Sequence, residues 1–123
     1  MASKILVVED EETMRSILEE SLTEKGYSVD TAADGDSGMD LSLKNEYDLI
    51  LLDIILPKKN GLEILEAVKK DRKGKLPKVL VLTNLGEADY VQKALDLGAT
   101  SYLVKADHNL QDIMEKVSSL LEK

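Results

Sequence analysis

Four carboxylates stand together near the start of the chain, directly after an apolar run. Ile5–Val8 leads into Glu9, Asp10, Glu11 and Glu12, in the stretch ILVVEDEE. Like charges in such a row repel one another unless a cation balances them or a helix begins there, because the first turn of a helix favours negative charge. The row therefore indicates a cation site, a helix start, or both.

Three later apolar runs are each followed by a polar residue, namely Asp53, Thr83 and Lys105. Singly, each has an ordinary explanation as a turn former, a helix cap or a solvated lysine. Together with Glu9 and Asp10 they form a complementary set. Acidic oxygens suit Mg²⁺, while a lysine and a hydroxyl suit phosphoryl oxygens. An aspartate held beside a metal and a lysine can act as a nucleophile toward phosphorus.

The apolar runs have the length of strands and are continuous rather than alternating, which is typical of parallel strands covered on both faces. They are Ile5–Val8, Leu49–Leu52, Val79–Leu82 and Tyr102–Val104, with a weaker run at Ser28–Ala32. In a parallel sheet all strands end on the same side, where ligands bind at the point at which strand order reverses. The polar residues that follow the runs are therefore expected to meet.

Segments with helical spacing lie between these runs. The first has Met14, Ile17, Leu18 and Leu22 on one stripe; the second, with Met39, Leu41 and Leu43, is weakened by Gly35 and Gly38. The other three carry Leu62, Ile64, Leu65 and Val68; Val91, Ala94 and Leu95; and Leu110, Ile113, Val117, Leu120 and Leu121. We expect Gly26 and Gly98 to end helices, and Asp34 and either Asp107 or Asn109 to cap them. Strand followed by helix, five times over, predicts a doubly wound α/β fold.

The composition excludes several classes of protein. The chain has 123 residues, near the commonest size for one domain, and a formal net charge of −8, which argues against a nucleic-acid binder. It has no cysteine, so disulfides and thiolate metal sites are ruled out. No apolar run approaches the length that spans a bilayer, and the N-terminus lacks a signal-peptide pattern. We expect one cytoplasmic domain over residues 1–123.

Four motifs in order resemble the receiver domain of bacterial two-component response regulators. They are VVEDE at the first strand end, LILLDIILPKKNGLEIL through the third strand and helix, VLVLTN at the fourth strand and GATSYLVKA at the fifth. The resemblance covers essentially the whole chain. It implies a flavodoxin-like fold with a five-stranded parallel sheet, strand order 2-1-3-4-5, flanked by five helices.

The resemblance also implies a role for each residue of the set. Asp53 is expected to accept a phosphoryl group from the phosphohistidine of a sensor kinase or phosphotransfer protein. Mg²⁺, for which Mn²⁺ is a substitute, is expected to bind Asp10, Asp53 and the backbone carbonyl of Ile55 directly, and Glu9 through water.

The remaining residues of the resemblance form the switch. Lys105 is expected to pair with the phosphoryl group and Thr83 to hydrogen-bond it. Tyr102 is expected to turn inward with Thr83, which changes the face of the fourth helix, fifth strand and fifth helix that controls a partner or output domain. Such a domain promotes its own phosphorylation and dephosphorylation and turns over no separate substrate. Whether the receiver stands alone or belongs to a longer regulator is open.

Three positions, Glu9, Asn84 and Ala106, depart from the commonest family pattern, and Glu9 is a familiar substitute for aspartate. Asn84 replaces a small residue beside Thr83, and Ala106 replaces the proline that usually follows the lysine. A cis bond before a non-proline residue costs roughly 2.5–4 kcal/mol, so we expect a trans Lys105–Ala106 peptide from which the long lysine still reaches Asp53. Ile55 and Leu85 would flank the attacking water with aliphatic side chains, so we expect slow hydrolysis unless Asn84 or Lys58 reaches in.

Three alternative functions are compatible with a layered parallel sheet. A pseudo-receiver used purely for protein binding would have lost Asp53, Asp10 or Lys105, and all three are present. A haloacid-dehalogenase-like phosphatase would want an aspartate where this chain has Ile55. A flavodoxin-like electron carrier would want a hydroxyl-rich phosphate loop after the first strand, where this chain has acids that repel phosphate. His108, the only histidine, is expected to be exposed and not a phosphodonor.

Overall fold

Five strands and five α-helices alternate along the chain in the computed structural model, which describes residues 2–54, 56–58, 60–72, 77–84 and 88–122. The strands are β1 (Lys4–Val8), β2 (Ser28–Ala32), β3 (Leu49–Asp53), β4 (Lys78–Thr83) and β5 (Ser101–Val104). The helices are α1 (Glu12–Glu24), α2 (Gly35–Lys44), α3 (Gly61–Arg72), α4 (Ala88–Asp96) and α5 (Leu110–Leu121). A single 3₁₀ turn, Lys105–Asp107, follows β5. Every predicted strand and helix is present.

The strands form one parallel sheet in the order β2-β1-β3-β4-β5, which confirms the predicted topology. Chain order reverses between β1 and β3, where Val8 lies beside Leu52. On the other side of β3, Asp53 lies beside Leu82, and Thr83 lies beside Val104. All four of these strands therefore end at the same side of the sheet, which we call its carboxyl end.

Two apolar layers bury the two faces of the sheet, and the strands supply both by alternation. On β3, Leu49 and Leu51 pack toward α1 and α5 with residues such as Leu18 and Val117. Ile50 and Leu52 pack toward the other layer, which contains Ile64, Val68 and Ala94. Because successive residues of a strand point to opposite faces, a strand buried on both faces reads as a continuous apolar run.

The helix ends follow the predicted signals. Gly26 and Gly98 have φ values of 96° and 107° just after α1 and α4, in the left-handed region that favours glycine. Asp34 caps α2 by accepting a hydrogen bond from the Ser37 amide at 2.8 Å. Asn109, rather than Asp107, caps α5 and forms a capping box with Asp112.

Two of the predicted apolar stripes are wrong at one position each. Ile17 was placed on the buried stripe of α1 but is 42% exposed, and Leu43 of α2 is 37% exposed. On α2 the buried residues are Gly35, Gly38 and Ser42. The helix lies so close to the sheet that a Cβ at Gly38 would be 2.7 Å from a methyl group of Val8. Small residues therefore occupy the face of α2 that lies against the sheet.

The described helices include none that is both long enough and apolar enough to cross a membrane.

Candidate functional site

The carboxyl end of the sheet gathers the polar residues that the sequence singled out. Asp53 and Thr83 are the last residues of β3 and β4. Glu9 directly follows β1, and Lys105 directly follows β5. The short connections leave these side chains little freedom of position, so the sheet itself sets their spacing.

Three carboxylates converge at this place. Glu9, Asp10 and Asp53 each offer an oxygen, and these oxygens all lie within 4.8 Å of one another. Glu9 and Asp53 are 1% and 3% exposed, whereas Asp10 is exposed. The group borders an open cleft of about 700 Å³ that Asn84 and His108 also line. A cluster of carboxylate oxygens with solvent access on one side fits a hard divalent cation such as Mg²⁺, which binds a few protein oxygens and keeps several waters.

Lys105 contacts two of these carboxylates. Its Nζ donates to Glu9 Oε1 at 2.6 Å and to Asp53 Oδ2 at 2.9 Å. The described residues contain no cis peptide bond, so Lys105 and Ala106 are joined in trans, as predicted from the absence of proline. The four-carbon lysine stem reaches Asp53 from this trans backbone, which confirms the second part of that prediction.

Burial and pairing act against each other on the ionisation of these groups. Burial raises the pKa of Glu9 above its ordinary value; hydrogen bonds from Lys105 and from the Glu11 amide oppose this shift without cancelling it. Burial alone would lower the pKa of Lys105, but its hydrogen bonds to Glu9 and Asp53 outweigh burial and raise it. Lys105 therefore stays protonated at neutral pH, and the ionised form of Glu9 depends on it.

The backbone after β1 is fixed by two contacts that the sequence reasoning missed. The Glu11 amide donates to Glu9 Oε2 at 3.1 Å, so Glu9 is held at both oxygens. Arg15 Nη1 donates to the main-chain carbonyls of Glu9 and Asp10 at 3.1 and 3.3 Å. A basic residue one turn into a helix that begins with acids was the available signal for Arg15.

Gly61 is a second position whose role the sequence reasoning missed. Its amide donates to the Ile54 carbonyl at 2.7 Å, which brings the start of α3 against the end of β3. A Cβ at this position would be 2.8 Å from the Asp53 carbonyl oxygen, closer than real Cβ contacts come. Only a residue without a Cβ fits at this contact. The available signal in the sequence was the Asn-Gly pair at the start of the helix.

Thr83 and Tyr102 differ in how deeply they are buried. Thr83 is buried at the end of β4, next to β3, and its hydroxyl donates to the Asn84 carbonyl at 2.7 Å. Tyr102 lies on β5 and is 44% exposed, so its ring faces outward rather than in toward Thr83. The expected inward position of Tyr102 belongs to the phosphorylated state and stays a prediction.

The sequence also singled out Ile55, Leu85, Lys58 and His108. Ile55, whose carbonyl was predicted to bind metal, and Leu85 lie outside the described residues, as does part of the basic run after α3. The ion pair that Lys58 forms is with Asp34, whose Oδ2 lies 3.5 Å from Lys58 Nζ. His108 is exposed, as expected, and its Nδ1 lies 3.5 Å from Asp112.

Fold and site together define a doubly wound α/β protein with an acid–lysine site at the switch point of its sheet. A family model described as the response regulator receiver domain matches residues 5–118. The chain therefore belongs to the response regulator receiver family. This membership confirms the resemblance and sets aside the phosphatase and electron-carrier alternatives.

Two curated relatives are longer than this chain. The transcriptional regulatory protein CusR of Escherichia coli K12 is 41% identical over 120 residues, which is 98% of this chain and 52% of that protein. The response regulator ArlR of Staphylococcus aureus is 36% identical over 121 residues, 98% of this chain and 53% of that protein. The chain thus spans about half the length of the curated relatives it matches.

Two solved structures share the fold over almost their whole length. The chemotaxis response regulator CheY4 of Vibrio cholerae superposes with a TM-score of 0.88 at 29% identity, over 98% of this chain and 99% of that one. A CheY-like receiver domain from Methanospirillum hungatei JF-1 gives a TM-score of 0.89 at 30% identity, over 98% and 94%.

Proposed function

We propose that this chain receives a phosphoryl group on Asp53 from the phosphohistidine of a sensor kinase or phosphotransfer protein. The observation that carries the proposal is the buried Asp53 carboxylate, hydrogen-bonded to Lys105 at 2.9 Å inside a cluster of three acids. In the part of the chain that the structure describes, three acids here meet the single ammonium of Lys105, and such an excess of carboxylates suits a divalent cation that a phosphate shares.

Asp10 and Asp53 hold Mg²⁺ directly in this proposal, together with the Ile55 carbonyl, and Glu9 holds it through water. Mn²⁺ can replace Mg²⁺. The bound ion supplies positive charge that offsets the repulsion between the carboxylates and an incoming phosphate. The carboxylate oxygens within 4.8 Å of one another support this assignment.

The transfer makes one bond and breaks one bond. An Asp53 oxygen attacks the phosphorus in line with the phosphorus–nitrogen bond of the phosphohistidine. That bond breaks, its electron pair stays on the imidazole nitrogen, and Asp53 becomes an acyl phosphate. Lys105 stays protonated and exchanges its contact with the Asp53 carboxylate for one with a phosphoryl oxygen.

Thr83 and Tyr102 link phosphorylation of Asp53 to a change at the surface of the domain. The Thr83 hydroxyl leaves the Asn84 carbonyl and donates to the phosphoryl group. Tyr102 then moves inward, and the face of α4, β5 and α5 changes shape for a downstream partner. Relatives named as transcriptional regulators support an output in gene control, while the net charge of −8 argues against DNA contact by this domain itself. A cytoplasmic kinase and output imply a cytoplasmic location.

Intact mass spectrometry after incubation with acetyl phosphate tests the proposal. We expect one added phosphoryl group on the wild type, dependent on Mg²⁺, and none on Asp53→Asn. Asp48→Asn is the matched control, because Asp48 lies at the opposite end of β3 and accepts a hydrogen bond from the Lys4 amide. Equal labelling of Asp53→Asn and wild type would show that the nucleophile is another residue.

A further inference from the structure

The segment that follows the phosphoacceptor is tied to the start of α2 by two contacts. The Gly35 amide donates to the Pro57 carbonyl at 3.0 Å, and Lys58 Nζ lies 3.5 Å from Asp34 Oδ2. Lys58 is only five positions beyond Asp53 in the chain. The start of α2 therefore fixes the position of residues 56–58, here called the 56–58 segment, which follow Asp53 closely in the chain.

Lys58 adopts a backbone conformation that needs such support. Its φ is 71°, in the left-handed region, and among the described residues it is the one non-glycine with a positive φ. This conformation is unfavourable for lysine, because its Cβ is crowded there and its side chain offers no short polar group that could hydrogen-bond the local backbone. Strained backbone of this kind persists when surrounding contacts hold it, and it clusters near functional sites.

We propose that Asp34 and Lys58 are positioning residues, which act through the 56–58 segment to set the geometry of the metal and phosphoryl site. The two carboxylate oxygens of Asp34 make different contacts, so this residue can join the segment to the helix. Oδ1 caps α2 through the Ser37 amide at 2.8 Å, and Oδ2 faces Lys58. The cap anchors Asp34 to a helix, so the ion pair joins the segment to a rigid element. The inference rests on the proposed function, because it concerns the binding of Mg²⁺ there.

The ion pair also determines where the Lys58 charge lies. An ammonium so close in sequence to Asp53 could compete with a cation for the carboxylates. Its pairing with Asp34 holds the Lys58 ammonium at the start of α2 instead. The pKa of Asp34 is lowered mainly by the Ser37 amide and also by Lys58. The side chains are 61% exposed for Lys58 and 22% for Asp34, so the expected effect is modest.

A double-mutant cycle on the full chain separates positioning from simple charge. Asp34→Asn removes the charge while asparagine still caps α2. Lys58→Gln removes the cation. Mg²⁺ affinity is measured by amide NMR shifts, and the free energy of unfolding is measured in parallel. Asp40→Asn is the control, because Asp40 forms an exposed pair with Lys44 at 3.2 Å on the same helix.

Positioning and charge predict opposite signs for Lys58→Gln. Removing a cation near a cation site strengthens Mg²⁺ binding if only charge matters. The positioning role predicts that Lys58→Gln and Asp34→Asn each weaken Mg²⁺ binding by roughly twofold to fivefold, and that the double variant is no weaker than either single one. The free energy of unfolding stays close to that of Asp40→Asn.

Two results overturn the inference while the proposed function stands. One is unchanged or tighter Mg²⁺ binding by Lys58→Gln, and the other is additive effects of the two substitutions. Absence of Mg²⁺ binding by the wild type itself would instead remove the proposed function and this inference with it.

Discussion

The two ends of the sheet both carry charged side chains, but they use them differently. At the amino end, which we define by Lys4, Asp30, Tyr47 and Asp48, each carboxylate has its own donor. The Lys4 amide donates to Asp48 at 2.8 Å, and the Tyr47 hydroxyl donates to Asp30 at 2.7 Å. At the carboxyl end, three carboxylates crowd together and Lys105 is shared by two of them.

The difference separates a structural network from a binding site. The amino-end contacts join β1, β2 and the approach to β3, and the side chains of Lys4 and Asp30 remain about 40% exposed. The carboxyl-end acids Glu9 and Asp53 are buried, which disfavours their charged forms. A fold that only needed to close its sheet would use the first arrangement. The second arrangement is unfavourable without a cation, and this is the physical basis for assigning function to it.

Removal of the lysine at each end should have very unequal effects. Lys105→Met leaves two buried carboxylates without their ammonium, and we expect a loss of roughly 3 kcal/mol in the metal-free free energy of unfolding. Lys4→Met is the matched control. It breaks an exposed contact of 4.0 Å with Asp30, and we expect a loss under about 1 kcal/mol. Urea denaturation in the presence of a chelator measures both.

Similar losses in the two lysine variants would remove the distinction between the ends. A further check is available, because Mg²⁺ can replace the missing positive charge at the carboxyl end only. Compared with the wild type at the same Mg²⁺ concentration, Lys105→Met should therefore recover part of its loss, whereas the loss in Lys4→Met should stay the same.

A methyl group at Gly61 should disturb the carboxyl end through the backbone. Gly61→Ala puts a Cβ 2.8 Å from the Asp53 carbonyl oxygen, and we expect a loss of about 2 kcal/mol of stability and weaker Mg²⁺ binding. Gly38→Ala is the control, since its Cβ meets side-chain methyls of Val8 and Ile64. Stability should fall in Gly38→Ala as well, but the Mg²⁺ affinity of the folded protein should not. Unchanged Mg²⁺ affinity in Gly61→Ala would count against the close-approach argument.

At the amino end, Tyr47 allows two tests: removal of its hydroxyl group and titration of that group at alkaline pH. Tyr47→Phe loses the bond to Asp30, and we expect a cost of about 1 kcal/mol in stability with no change in Mg²⁺ affinity. Burial and the Asp30 bond raise the pKa of Tyr47 from 10.0 to about 12. Because the folded pKa is the higher one, this stabilisation is complete below pH 10.0 and is lost as the pH rises toward about 12.

Absorbance of tyrosinate during an alkaline titration measures the second effect. The wild type should show a component near pH 12 that Tyr47→Phe lacks. The same component in both proteins would mean that Tyr47 does not titrate late.

The meeting of Asp53 with Glu9, Asp10 and Lys105 was predictable, because parallel strands all end at the same edge of a sheet. The strand order was predicted from the resemblance to the receiver family. The helix faces were less predictable. Ile17 has helical spacing but faces the cleft side of α1, and Gly38 looked like a weakness of α2 rather than the reason that α2 can approach Val8.

Contacts made through backbone atoms were harder to predict. Arg15 binds carbonyls that any residues at positions 9 and 10 would offer, so its place one turn into a helix that begins with acids was only a weak signal. The pairing of Lys58 with Asp34 depends on a left-handed φ that lysine does not favour. Local propensity gives no hint of such a conformation, because tertiary contacts determine it.

The most direct test of the central claim is the free energy of unfolding of wild type and Asp10→Ala measured against Mg²⁺ concentration. Binding to the folded state alone adds stability, by about 2.7 kcal/mol at a concentration one hundred times the dissociation constant. We expect this gain in the wild type. In Asp10→Ala, measured over the same Mg²⁺ concentrations, we expect little of it. An equal gain in both proteins, or no gain in either, would contradict the assignment of the carboxyl end as a cation site.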